Sequence, residues 1–153
     1  MALRPDRDEH LTDLSFFMNE TAERGILVAA STQGSGAAMD DSTAAVKVPT
    51  AVADKPVGVL LNDVVNLDLT RQHLNFAKDE VQQGSKVLVL RVGTVTTGQI
   101  SGAITMGDVA HFTNLGNLCS ATAIDSGPAS AVIGRWLSKK DADGFAKVAI
   151  NIV

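Results

Sequence analysis

Apolar residues recur at every second position along much of this chain, most densely between Val57 and Gly93. Val57, Val59 and Leu61 alternate with Gly58 and Leu60, then Val65, Leu67 and Leu69 alternate with Val64, Asn66 and Asp68, and Val87 to Val95 repeats the pattern. A period of two is the mark of a β-strand, whose successive side chains point to opposite faces. Before this stretch, Ile26–Thr32 predicts a strand, residues 33–45 a long Gly/Ser/Ala loop, Ala45–Val48 a short strand ended by Pro49, and Asp54-Lys55-Pro56 a turn. Residues 70–83 fit a helix or a loop, and the reading adopted is an extended crossing that turns at Gln82–Ser85.

Beyond Gly93, the glycines Gly98, Gly102 and Gly107 interrupt a Thr/Ile-rich run, as bulges and sharp bends do. Val109–Thr113 and Leu118–Ile124 read as strands around an Asn114–Asn117 turn. Ala131–Ser138 and Phe145–Ile152 read as a hairpin, with Asp143-Gly144 as its turn signal. In the last strand Ala146, Val148, Ile150 and Ile152 face one way, so one side is buried and one wet. About eight to ten short strands with turns between them predict a mainly β fold, a compact β-sandwich or β-barrel.

The N-terminal segment differs. Met1–His10 is mostly charged and predicts an extended lead. In the following LTDLSFFMNETAERG, Leu11, Leu14, Phe17 and Met18 would share a helical face, while adjacent Phe16 and Phe17 would equally straddle a strand. Burying a Phe is worth on the order of 2 kcal/mol, so this pair either folds back on its own chain or docks on a partner. The expected organisation is an N-terminal arm, residues 1–24, and a β domain, residues 25–153.

Composition narrows the function. With 153 residues the chain can bury a core without disulfide or metal. Aromatics make up only 4%, so that core must be built from aliphatic side chains. A net charge of -4, with the 13 Lys and Arg spread along the chain, argues against a nucleic-acid partner and favours a neutral or basic one. Cys119 is the single cysteine, so neither an intrachain disulfide nor a cysteine zinc pair can form, which suits a reducing compartment. No apolar run approaches the roughly 20 residues of a membrane span, and the charged start lacks a signal peptide's apolar segment. The expectation is a protein made in the cytoplasm that leaves only as part of something larger.

Candidate chemistry is thin. Gly34-Ser35-Gly36 lacks the closing Lys of a phosphate loop. Asp141, Asp143 and Gly144 resemble part of a calcium loop, but Lys139 and Ile150 stand where ligands belong. His10, His73 and His111 have no second ligand at metal spacing, no nucleophile elbow surrounds any Ser, and Asp79-Glu80 reads as a solvated edge. Asn19-Glu20-Thr21 is a glycosylation pattern with no secretory signal. Ala123–Gly127 faintly resembles the Asp-bearing motif of dUTP pyrophosphatases. That likeness stops there, for the chain has no Tyr to lie under a uracil and no Gly-rich tail. No cofactor is expected, and no enzymatic activity.

Three segments carry a likeness to a known family: LSFFMNETAERG (Leu14–Gly25), STQGSGAAMD (Ser31–Asp40) and VGVLLNDVVNLDLTRQHLNFAKDEVQQGSKV (Val57–Val87), with the closing GRWLSKKDADGFAKVAINI. In these the chain resembles the head decoration, or capsid cement, proteins of tailed bacteriophages. The resemblance implies a homotrimer on the outer surface of the expanded head, clamping neighbouring major capsid protein subunits. It supplies no residue-level motif. Contact residues chosen on physical grounds are Leu14, Phe16, Phe17 and Met18, with Arg71 and His73 as polar anchors. The alternative is a β-rich trimeric fibre-base or host-recognition module, although a sugar site wants an exposed aromatic and Trp136 lies in a predicted strand.

Overall fold

The structure is a computed structural model. It describes residues 2–34, 44–64, 67–68, 73–74, 79–120 and 130–153. Among these, the strands are β1 (Asp8–Met18), β2 (Ala22–Glu23), β3 (Leu27–Ser31), β4 (Ala45–Lys47), β5 (Pro56–Asp63), β6 (Leu67–Asp68), β7 (His73–Leu74), β8 (Glu80–Val81), β9 (Lys86–Thr97), β10 (Val109–Phe112), β11 (Leu118–Ser120), β12 (Gly134–Trp136) and β13 (Ala146–Asn151). No helix occurs among the described residues, so the chain is mainly β, as its alternation predicts.

β9 is the hub. One of its edges carries β1, antiparallel from Asp8–Thr94 to Phe17–Lys86. The other edge carries β5 against Leu90–Val87 and then β13 against Val92–Thr97. β5 continues to β3, and β3 to β4, each antiparallel. β4 then returns to the end of β1 in parallel, pairing Ala45 with Phe17 and Val46 with Met18. These five strands close into a ring. Met18, Val28, Val46, Leu60, Val87 and Val89 fill it, one or two from each strand, and Ala22, Ile26 and Val81 join them from the β2–β8 end.

From the distal half of β9 the sheet runs on through β13, β12, β10 and β11. The chain leaving β9 reaches the far side of β11, where Leu118 donates to Gln99 O at 2.9 Å and Ser101 donates to Leu118 O at 2.9 Å. The second core packs Trp136, Phe112, Leu118, Ile133, Val148 and Ile150 against Leu27, Val59, Leu61 and Leu90. Val59 and Leu61 thus face one core while Leu60 between them faces the other. The central alternation is therefore not apolar against wet but apolar on both faces, which is why VGVLL reads as a nearly unbroken apolar run. β13 keeps the simpler pattern, with Ala146, Val148 and Ile150 buried and Asn151 exposed.

Most predicted elements fall where the alternation put them. The strand predicted at Ile26–Thr32 is β3, that at Ala45–Val48 is β4, and that at Phe145–Ile152 is β13. The Gln82–Ser85 turn closes by Ser85 N–H to Gln82 O at 3.2 Å, with Gly84 at φ 83°. Of the helix and strand readings for Leu11–Met18, the strand is the one that forms. A helix would bury Leu11 and Leu14, whereas here both are exposed, Met18 is buried, Phe16 packs against the same core, and Phe17 is half-buried. The N-terminal segment lies on its own domain, since Arg4 N–H also bonds Thr96 O at 3.0 Å and Leu3 bridges Thr97.

Gly93 makes the junction possible. It sits at φ 149°, and a Cβ there would run into the Asp8 carbonyl oxygen. At this point β9 passes from β5 to β13 while β1 slips register on its other side. Gly93→Ala should therefore lower stability by about 2–4 kcal/mol, from backbone strain plus the lost close approach of β1. Urea unfolding measures this, and an unchanged midpoint would show that β1 is not held there.

Candidate functional site

Several groups that could carry chemistry have structural partners among the described residues. Asp141 accepts the amides of Asp143 and Phe145 at 3.0 and 2.9 Å, and so builds the hairpin turn. Arg4 binds Asp143 at 2.8 Å and lies 4.5 Å over the Phe145 ring. His111 is buried with Nδ1 2.8 Å from Ser130 O, while Ser130 Oγ accepts Phe112 N–H. Burial pushes the Cys119 thiol up to about 11, so it stays protonated and unreactive at neutral pH. Trp136 is fully buried and its Nε1–H donates to Cys119 O at 3.3 Å. The chain's one Trp is thus unavailable to stack on a sugar. Among the described residues no group of His, Cys, Asp and Glu is placed to hold a metal ion. Asp125 and its neighbours lie outside the described residues.

What the molecule does offer is an edge. Among the described residues, β1 pairs on one side only from Asp8 to Phe16, and its second side meets β4 first at Phe17, whose N–H bonds Ala44 O at 2.8 Å. Unpaired strand edges present rows of free N–H and C=O groups and are templates for another strand. Here the edge carries apolar side chains too, with Leu11 42% and Leu14 51% exposed.

A bulge pushes Leu14 outward. Between Asp13, opposite Val89, and Phe16, opposite Val87, β1 spends one residue more than β9. The Asp13 carboxylate stabilises this bulge by accepting both the N–H of Ser15, at 2.8 Å, and its hydroxyl. Those two bonds, the hydroxyl's first, hold the Asp13 carboxyl below the usual range, helped by the Arg91 charge. On the other side of the ring, burial pushes the Asp63 carboxyl up, and its Oδ2 is buried with no hydrogen-bond partner.

The six residues chosen from the sequence divide three ways. Leu14 is exposed at the bulge, and Phe16 and Phe17 are half-buried, Phe16 against the ring's core. Met18 is fully buried inside that ring, between Val28, Val46 and Leu60. Its apolarity serves its own chain. Arg71 lies outside the described residues, and His73 is placed only by its backbone, paired with Asp68 across the β6–β7 hairpin. Sequence reasoning missed Leu11, which shares the open edge. The signal was present, because Leu11 is a lone aliphatic among charged and polar neighbours.

The two carboxylates predict opposite pH responses. Asp13, depressed in the folded protein, contributes stability that is present above about pH 4 and lost as pH falls through its folded pKa. Asp63, raised, costs stability once pH rises past its unfolded value. Asp63→Asn should therefore raise the melting temperature at pH 7 and leave it nearly unchanged at pH 3, whereas Asp13→Asn should lower it at pH 7 and converge with the parent in acid. Thermal unfolding across this pH range checks both signs.

Comparison with known proteins agrees with a body built for contact. No curated protein matches the chain. A family model described as structural cement protein (E217 gp24/Pam3 gp6) matches residues 12–151, from the middle of β1 to the last residue of β13. That span takes in all of both buried cores except Leu3, and the β1 edge from Thr12 onward, with Asp8 to Leu11 outside it, and the chain belongs to the phage structural cement protein family.

Proposed function

We propose that this protein binds the outer surface of the expanded phage head and stabilises it by clamping neighbouring major capsid protein subunits. The family match over residues 12–151 carries the reading. Physical features support it. A clamp must transmit load without deforming, and here two apolar cores share one wall, with β9 paired along both edges. β1 offers contact chemistry, with Leu11 and Leu14 exposed beside backbone groups that no described residue pairs, and Met106, Leu115 and Val132 are exposed apolar residues elsewhere. Strand addition on such an edge gains backbone hydrogen bonds and buries the two leucines.

The assembly proposed is a homotrimer at three-fold positions, the form the resemblance implies. Many identical contacts on one shell then act together, so a weak contact per copy suffices. The docking element in this reading is the edge of β1, a wall of the ring. Deleting residues 1–24 would remove that wall, so point substitutions are the cleaner probe.

Purified protein added to expanded heads that lack it should bind saturably at a symmetry-set copy number and raise the heads' melting temperature. Leu11→Ser with Leu14→Ser should weaken binding about tenfold, since two half-exposed leucines together contribute roughly 1–3 kcal/mol on burial, and should leave the free protein's melting temperature unchanged. Absence of binding to competent heads would contradict the cement role, and unchanged binding of the double variant would remove these leucines from the contact.

A further inference from the structure

The open edge of β1 is selective, and its charge says for what. Residues 5–20 hold Asp6, Asp8, Glu9, Asp13 and Glu20 against Arg7 alone, a net charge of -4. This equals the net charge of the whole chain, so all other residues together sum to zero. This negative charge lies on and beside the edge of β1, which no other described residue pairs from Asp8 to Phe16. Within that count Arg7 pairs with Glu9, and His10 Nε2 lies 3.2 Å from Asp8 Oδ2; partners outside the segment offset the charge only in part, with Arg91 acting on Asp13. Asp6 meets Lys147 at 4.0 Å.

This distribution disfavours some pairings of the edge with its own copies. A second copy adding its own β1 in antiparallel fashion about Leu11 would set Glu9 against Asp13. About the His10–Leu11 midpoint it would set Asp8 against Asp13. Like charges directly opposed across a strand pair are destabilising, so these two registers of self-pairing are disfavoured. The same charges attract the opposite kind of strand.

We propose that the β1 edge from Asp8 to Phe16 receives an extended, basic segment of a shell protein, with Lys or Arg set against Asp8 and Glu9 and small aliphatic side chains over Leu11 and Leu14. The inference rests on the cement reading and specifies its contact. β1 is the acceptor of a strand here, not an arm that reaches out. The Asp13–Ser15 bulge limits the added strand, because the extra residue breaks the ladder just before β4 takes over the edge at Phe17.

The test uses the full chain and expanded heads. Amide exchange would be followed on free and head-bound protein, and affinity would be measured for the parent, for Asp8→Lys with Glu9→Lys, and for Lys139→Glu with Lys140→Glu. The expected result is new protection of the outward amides between Asp8 and Phe16 on binding. Affinity should drop at least about tenfold for the β1 reversal, stay within about twofold for the Lys139–Lys140 reversal, which lies off β1, and for the parent fall as salt rises. If the parent binds while those amides exchange as in free protein, or if the β1 reversal binds like the parent, the cement role stands and the edge assignment is overturned. If the parent leaves the heads bare, both fall.

Discussion

Everything in this fold depends on β9 being satisfied on all sides. Its backbone pairs with β1 on one edge and with β5 and then β13 on the other, and its side chains divide between two cores, Val87 and Val89 into the ring and Leu88, Leu90 and Val95 toward the second sheet. A strand placed this way cannot shift without breaking both cores. With few aromatics in the chain, this sharing replaces the bulk that large rings would supply: branched aliphatics pack on both faces, and Trp136 and Phe112 are reserved for the second core. Gly93 is the concession, the one position in β9 where a side chain would collide with β1.

A molecule so constructed is suited to bear load. Several of its carboxylates hold turns and bulges, as with Asp13 at Ser15, Asp54 at Thr50 and Ala51, and Asp141 at the last hairpin. One surface that remains is the edge of β1, partly apolar, acidic, and unpaired from Asp8 to Phe16 among the described residues. Membership of the structural cement protein family gives that surface its context. The context comes from sequence likeness across residues 12–151, and the geometry from which β1 backbone groups lack partners among the described residues.

Local pattern made much of this legible. Period-two alternation marked β3, β5, β9 and β13, and Asp-Gly and Asn-rich turns marked the hairpins, because these are decided within a few residues. Closure of the ring was not legible. It depends on a two-residue parallel pairing of β1 with β4, a contact between distant segments that leaves no periodicity behind. Two-sided burial of β5 was likewise hidden, since Val59 and Leu60 look alike in sequence whichever core they enter. The Phe16-Phe17-Met18 cluster was visible as apolar crowding, yet Met18 packs into its own chain while Leu11, left out of the chosen contact residues, stays at the surface. Apolarity signals burial somewhere, and only topology says in which body.

The most direct test of the account is an image reconstruction of expanded heads saturated with this protein, at a resolution that traces strands. The account predicts copies on the outer surface across boundaries between major capsid protein subunits, with the β1 edge continuous with an extended shell segment. Copies that bridge no boundary, or that touch the shell through another face while β1 points to solvent, would contradict it.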